Sequence, residues 1–157
     1  MKYCLKFCFV FLMIVPSLLS KGQEKSVITT VKKFKPPVVQ TTWGNSKSDA
    51  KVTKDEAVKM LSLPIKIIDS SGRNYTIDNY RFLYRSKSLV ENEQTGQKEV
   101  SFTVTSDKFV TSPISKIWID NIVNGLQSDE QFFLFDVMVK DDKGRLFFAP
   151  DLKITIQ

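Results

Sequence analysis

The chain has no histidine and only two cysteines among its 157 residues. Without histidine there is no Ser-His-Asp or Cys-His arrangement, and the commonest general base and metal ligand are missing. Both cysteines, Cys4 and Cys8, lie in the first ten residues, inside an apolar run with the features of an export signal. The processed protein is therefore expected to carry no thiol, which excludes disulfides, thiolate zinc sites and cysteine nucleophiles. No P-loop, no Gly-x-Gly-x-x-Gly and no Gly-x-Ser-x-Gly occurs. A long hydrophobic run is lacking too, since Phe7 to Val15 ends at Pro16, short of the roughly 20 apolar residues that a membrane-spanning helix needs.

What is present begins with that signal. Lys2 and Lys6 precede the apolar run, and Ser20 and Gly22 place small residues at the expected cleavage positions, so residues 1–22 are read as a cleaved export peptide. The formal charge of +6 then divides unevenly. Residues 23–54 hold seven lysines against Glu24 and Asp49, whereas residues 55–157 carry 13 basic and 15 acidic side chains. The basic character belongs to an arm, and the remainder is slightly acidic.

Residues 23–52 are rich in Lys, Thr, Ser and Val, with Pro36-Pro37 and only Phe34 and Trp43 as aromatics. Such a stretch is expected to be an extended linker, because it buries too little apolar surface to offset the entropy of ordering it. Val27 to Val31 and Val38 to Trp43 have strand-like composition and leave open the alternative of strands added to a sheet edge.

Order is expected from Thr53 to Gln157. Thr53-Lys54-Asp55-Glu56 fits a capping box, followed by Ala57, Met60 and Leu61 on one helical face and by Pro64 as a stop. Ile65–Ile68 and Asn74–Ile77 flank Asp69-Ser70-Ser71-Gly72 as a hairpin. Tyr80, Phe82 and Tyr84 alternate with Arg81, Leu83 and Arg85. Beyond the turn 91–98, Val100, Phe102 and Val104 alternate with small polar residues. The two apolar rows are expected to form one half-buried face.

Ser112-Pro113 reads as the cap and first residue of a second helix, carrying Ile114, Ile117, Trp118, Ile122, Val123 and Leu126, with Gly125 as a left-handed cap. The last strands place Phe133, Phe135, Val137 and Val139 on one face, turn at Asp141-Asp142-Lys143-Gly144 and close with Leu152, Ile154 and Ile156. The largest core contributors are expected among 132–135, 147, 148 and Trp118. The fold class is mainly β (α+β): antiparallel sheets or a β-sandwich of about six or seven strands with two short helices.

Three sets of side chains are candidates for chemistry. Arg81 and Arg85, with Arg73 nearby, form a basic strip for an acidic partner or anionic surface, or a face kept soluble by charge. Lys25, Lys32, Lys33 and Lys35 with Phe34 suit a membrane surface or acidic protein groove; the export signal argues against nucleic acid. Trp43, Tyr75, Tyr80 and Tyr84 are candidates for carbohydrate or small-ligand contact. Asp129, Glu130 and Asp136 are the remaining acids to weigh for a hydrolase, with Asp136 expected to be partly shielded beside Phe132, Leu134 and Met138. The two Asp-Gly turns read as turns rather than calcium loops, for lack of spaced ligands and a closing glutamate. No cofactor is implied.

The second half has a further pattern. Ser101-Phe102-Thr103-Val104-Thr105-Ser106, Ser112-Pro113 with its apolar helix, Gly125 to Glu130, Phe133 to Val139, Asp142-Lys143-Gly144 and Ala149-Pro150-Asp151-Leu152-Lys153-Ile154 follow one another in order. Residues 53–157 in this respect resemble the C-terminal domain of the GldM/PorM family, inner-membrane motor subunits of gliding motility and type IX secretion in Bacteroidota. The long transmembrane helix and preceding periplasmic domains of that family have no counterpart in this sequence. The resemblance implies a free periplasmic or cell-surface domain that binds an envelope protein and has no catalytic residues.

Overall fold

A computed structural model describes residues 33–157. The expected signal, Lys32 and the Val27 to Val31 run lie outside the described residues. Among those described, the protein is mainly β, with eight strands and two helices. The strands are β1 (Val39–Trp43), β2 (Ala50–Val52), β3 (Ile65–Asp69), β4 (Asn74–Glu91), β5 (Lys98–Phe109), β6 (Gln131–Lys140), β7 (Leu146–Phe148) and β8 (Leu152–Ile156). The helices are α1 (Lys54–Leu61) and α2 (Lys116–Val123).

All eight strands join one sheet in the order β1-β3-β4-β6-β8-β2, with β5 added to β4 and β7 to β6. Every pairing is antiparallel except β2 with β8. β1 and β2 stand at opposite ends of that order, yet only residues 44–49 join them, a reach of at most about 25 Å. The sheet must therefore curl until its ends approach. Thr41 of β1 donates to the Pro150 carbonyl ahead of β8, and the Trp43 ring meets Phe132 of β6.

Both short strands at the ends of the order come from the stretch expected to be a linker. The compact unit begins at Lys35, and the core explains why. Trp43 is fully buried, its indole N–H donates to the Leu63 carbonyl at 2.9 Å, and its ring packs edge-on to Phe82. Gly44, at φ +57°, turns the chain where an added Cβ would stand 3.3 Å from Leu63 Cδ1. One indole and four β-branched residues outweigh the polar composition around them. The carboxyl end is tied in the same way: the Gln157 N–H donates to the Val52 carbonyl.

α1 forms as its capping box dictates, with Glu56 bonded back to the Thr53 amide at 2.8 Å and Ala57, Met60 and Leu61 buried. α2 does not begin where expected. The Ser112–Pro113 bond is cis, the N-cap is Ser115, and Ser112 Oγ instead accepts the Ile65 N–H at 2.7 Å. The left-handed cap expected at Gly125 is absent; the helix ends through Asn124 in a right-handed conformation. Ile117 is exposed, and Trp118 carries the contact with the sheet through Phe82 and Phe109.

β6 departs from simple alternation. Asp136 adopts φ 50°, which an aspartate tolerates better than most residues. The residue inserted there reverses which side chains point inward. Phe132 and Leu134 are buried before it, Val137 and Val139 after it. Phe133 and Phe135, expected inside with those valines, lie half-buried on the outer face, and Phe148 is exposed. β4 carries a matching irregularity between Ile77 and Asn79. Ile77 pairs with Val139 before it and Phe82 with Leu134 after it, so both strands change faces together and the core stays continuous.

Candidate functional site

The candidate surface is set by the parity of the β4–β5 hairpin. The six residues 92–97 connect Glu91 to its partner Lys98, and pairing runs unbroken to Tyr80 opposite Phe109. Opposed residues of an antiparallel pair share a face. Tyr80, Phe82 and Tyr84 therefore share the inner face with Phe109, Asp107 and Thr105, while Arg81 and Arg85 share the outer face with Lys108 and Val104. The expected half-buried face made of Tyr80, Phe82, Tyr84, Val100, Phe102 and Val104 does not exist. The β5 row points the other way and is exposed: Val100 52%, Phe102 36%, Val104 55%, with Leu89 of β4 at 67%. A single position of register is enough to exchange the faces of a strand.

Cations cover the rings of this outer face. The Arg85 guanidinium lies 3.5 Å from the centre of the Phe102 ring, Arg81 6.0 Å from Phe135, and Lys153 Nζ 5.6 Å from Phe133. The register places Arg81 opposite Phe135, Leu83 opposite Phe133 and Lys153 beside Phe133. Leu83, Phe133, Phe135 and Lys153 line a shallow, largely apolar groove of about 410 Å³. A cation over a ring at the surface contributes about 0.5–1 kcal/mol, and together these three keep an apolar surface wetted.

Charge is segregated by the same alternation. On the hairpin, Arg81, Arg85, Lys87, Lys98 and Lys108 belong to the outer row, with Glu91 as its only acid, whereas Glu99 and Asp107 belong to the inner row. Of the other cations singled out in the sequence, Lys33 and Lys35 are exposed ahead of β1. Arg73 is drawn away from Arg81 and Arg85 to pair with Asp142 at 3.2 Å, joining two turns of the same design. In those turns Asp69 Oδ1 accepts the Ser71 and Arg73 amides, and Asp141 Oδ1 those of Lys143 and Arg145. Hydrogen bonds from Ser71, and then from the Arg73 amide and Tyr75, hold the Asp69 carboxyl down to about 2 against the opposing pull of desolvation.

Glu130, expected only as one of three acids to weigh for a hydrolase, is fully buried. Its carboxylate accepts the Tyr84 hydroxyl, the Lys87 amide at 2.7 Å and the Gln127 amide at 3.0 Å. The β4–β6 ladder stops at Arg85 opposite Gln131, and Glu130 supplies the acceptor that the Lys87 amide would otherwise lack. Burial, then the bond to Glu130, pushes the Tyr84 phenol well above its ordinary range. Above this cluster, Tyr84, Ser86, Thr105, Trp118, Asn121 and Ile122 line a cleft of about 390 Å³.

The three acids are not brought to one place. Asp136, expected to be shielded, is exposed and pairs with Arg81 at 3.7 Å, and Asp129 pairs with Lys87 at 2.9 Å. Six strand positions separate Glu130 from Asp136, roughly 20 Å, beyond the 5–9.5 Å of a glycosidase pair. The aromatic candidates are committed elsewhere. Trp43 and Tyr80 are buried in the core, the Tyr80 hydroxyl donating to the Thr111 carbonyl, and Tyr75 stacks edge-on to Phe147 while donating to Asp69. Among the described residues no helix is long and apolar enough to cross a membrane.

No family model matches the chain, and no curated protein matches it in sequence.

Proposed function

We propose that this is an exported, non-catalytic protein-binding domain of the bacterial envelope, related to the C-terminal domain of the GldM/PorM family and acting in gliding motility or type IX secretion. The observation that carries the binding role is the outer sheet face, where half-buried and exposed apolar side chains lie under Arg81, Arg85 and Lys153. Arginine and aromatic side chains held together at a desolvatable surface are what protein interfaces use as anchors. In this reading β1–β3 and β6–β8 act as two facing walls, the sense in which a sandwich describes the fold. The lysine-rich segment ahead of β1 tethers the domain near an acidic groove or membrane surface, and the site of action is the periplasm or the cell surface. The test is capture from envelope extract by the full chain, with fractionation and N-terminal sequencing. A processed chain starting at Gln23 that retains one defined envelope protein supports the proposal; a chain that retains none contradicts it.

A second reading rests on the cleft beside Trp118. An indole flanked by Asn121, Ser86 and Thr105 suits a carbohydrate or other small polar ligand. Glycan binding abolished by Trp118→Ala would favour that reading.

A further inference from the structure

β5 is an edge strand of unusual openness. It pairs with β4 along twelve residues, and no other described strand meets its second side. From Lys98 to Lys108 every residue is exposed except Ser101, which is half-buried. Natural edges of this length are guarded by bulges, proline or charges placed in mid-strand. Here the register is unbroken, the strand has no proline, and the seven residues Val100 to Ser106 carry no charge. Lysines stand at either end of the outer row, Lys98 and Lys108, around an apolar centre of Val100, Phe102 and Val104.

We propose that β5 takes up an extended segment of a protein partner as an added antiparallel strand, and that this segment carries acidic residues flanking an apolar centre on its outward face. The proposal rests on the protein-binding reading above and names the kind of partner. Backbone pairing supplies affinity in this mode, and the alternate side chains supply specificity. Three features favour this occupant. On the outer row of the hairpin Arg81 and Lys87 are paired with Asp136 and Asp129, which leaves Arg85, Lys98 and Lys108 against Glu91, while Glu99 and Asp107 face the other way, so an acidic face is accepted on one side of the added strand only. A second copy of this chain, pairing β5 with β5 about a twofold axis, would set two such cationic rows side by side. A lipid surface would leave the edge amides and carbonyls unpaired, and it would have to displace the guanidinium that covers Phe102 at 3.5 Å.

The test uses the full chain and two labelled eleven-residue peptides. Both have valine at the fifth, seventh and ninth positions and threonine elsewhere; one ends in glutamate at both termini, the other in lysine. The glutamate peptide should bind about tenfold more tightly, as expected for two exposed charge contacts reversed in sign. It should also slow amide exchange across Val100 to Ser106. The K98E/K108E variant, altered only at exposed positions, should reverse the preference, and Val104→Lys should weaken both peptides. Equal binding of the two peptides, no binding of either, or a preference that survives K98E/K108E would overturn the proposal. So would binding of phosphatidylglycerol vesicles, or a dimer in sedimentation, that these same variants abolish. If the chain retains an envelope protein that neither variant releases, the β5 proposal fails and the protein-binding reading stands. If it retains no envelope protein and binds neither peptide, both fail.

Discussion

The Arg85 guanidinium of β4 lies over the Phe102 ring of β5, its central carbon 3.5 Å from the ring centre, on the side of the sheet away from the core. The contact exists because Arg85 lies opposite Val104, one step from Phe102 on the same face. A double-mutant cycle of Arg85→Ala and Phe102→Ala should return a coupling of about 0.5–1 kcal/mol. Phe102→Ala alone should cost little more than that. Phe82→Ala, on the inner face of the same hairpin, should cost about 3–5 kcal/mol. Urea unfolding distinguishes them, and similar costs for the two phenylalanines would contradict the register.

Glu130 is the buried group on which the end of the β4–β6 ladder depends. Glu130→Ala leaves the Tyr84 hydroxyl and the Lys87 and Gln127 amides without their acceptor. It should destabilise the domain by about 3–5 kcal/mol, and Tyr84→Phe by about 1 kcal/mol. Amide exchange at Lys87 and Gln127 should rise in the first variant and change little in the second.

Much of the local structure was legible in the sequence, and the exceptions have two causes, one local and one long-range. The α1 capping box and the turns at Gly72 and Gly144 are contests between neighbours, settled by the hydrogen bonds of a few adjacent residues. The parity of the 92–97 connection is local too. It escapes notice because two apolar rows each alternate correctly whichever way they face. Trp43 illustrates the longer-range case: a lysine-rich stretch reads as a linker until Leu63, Phe82 and Phe132 are known to surround it. Asp136 and Glu130 likewise depend on more than their neighbours in sequence, one being turned out by a bulge and the other drawn in by donors on β4.

The ordered domain therefore includes residues that composition assigns to the arm. A chain beginning at Lys35 should fold with the circular dichroism of the full protein, whereas one beginning at Thr53 lacks β1 and β2 and should not. Trp43→Ala should cost about 3–5 kcal/mol. A folded product from Thr53 onward would contradict the sheet order described above.

Acid should weaken the domain through its turns. The Asp69 carboxyl titrates at about 2 in the folded protein and near 3.9 when unfolded. Its contribution is present above the unfolded value and is lost as pH falls from about 4 through 2. Hydrogen bonds from Lys140 and Asn79 likewise lower Asp78, which adds to the loss as pH falls below the ordinary carboxylate range. Denaturant midpoints measured from pH 5 to pH 2 should fall, and Asp69→Asn should flatten that fall by lowering stability at pH 5 more than at pH 2.

The most direct test of the account is where a partner touches the domain. A photo-crosslinking residue placed at Val104, on the outer face, and separately at Ile117, an even more exposed apolar position on α2, is irradiated in envelope extract. The account predicts an adduct with one defined envelope protein from Val104 and none from Ile117. Adducts of the same protein from both positions, or from Ile117 alone, would contradict it.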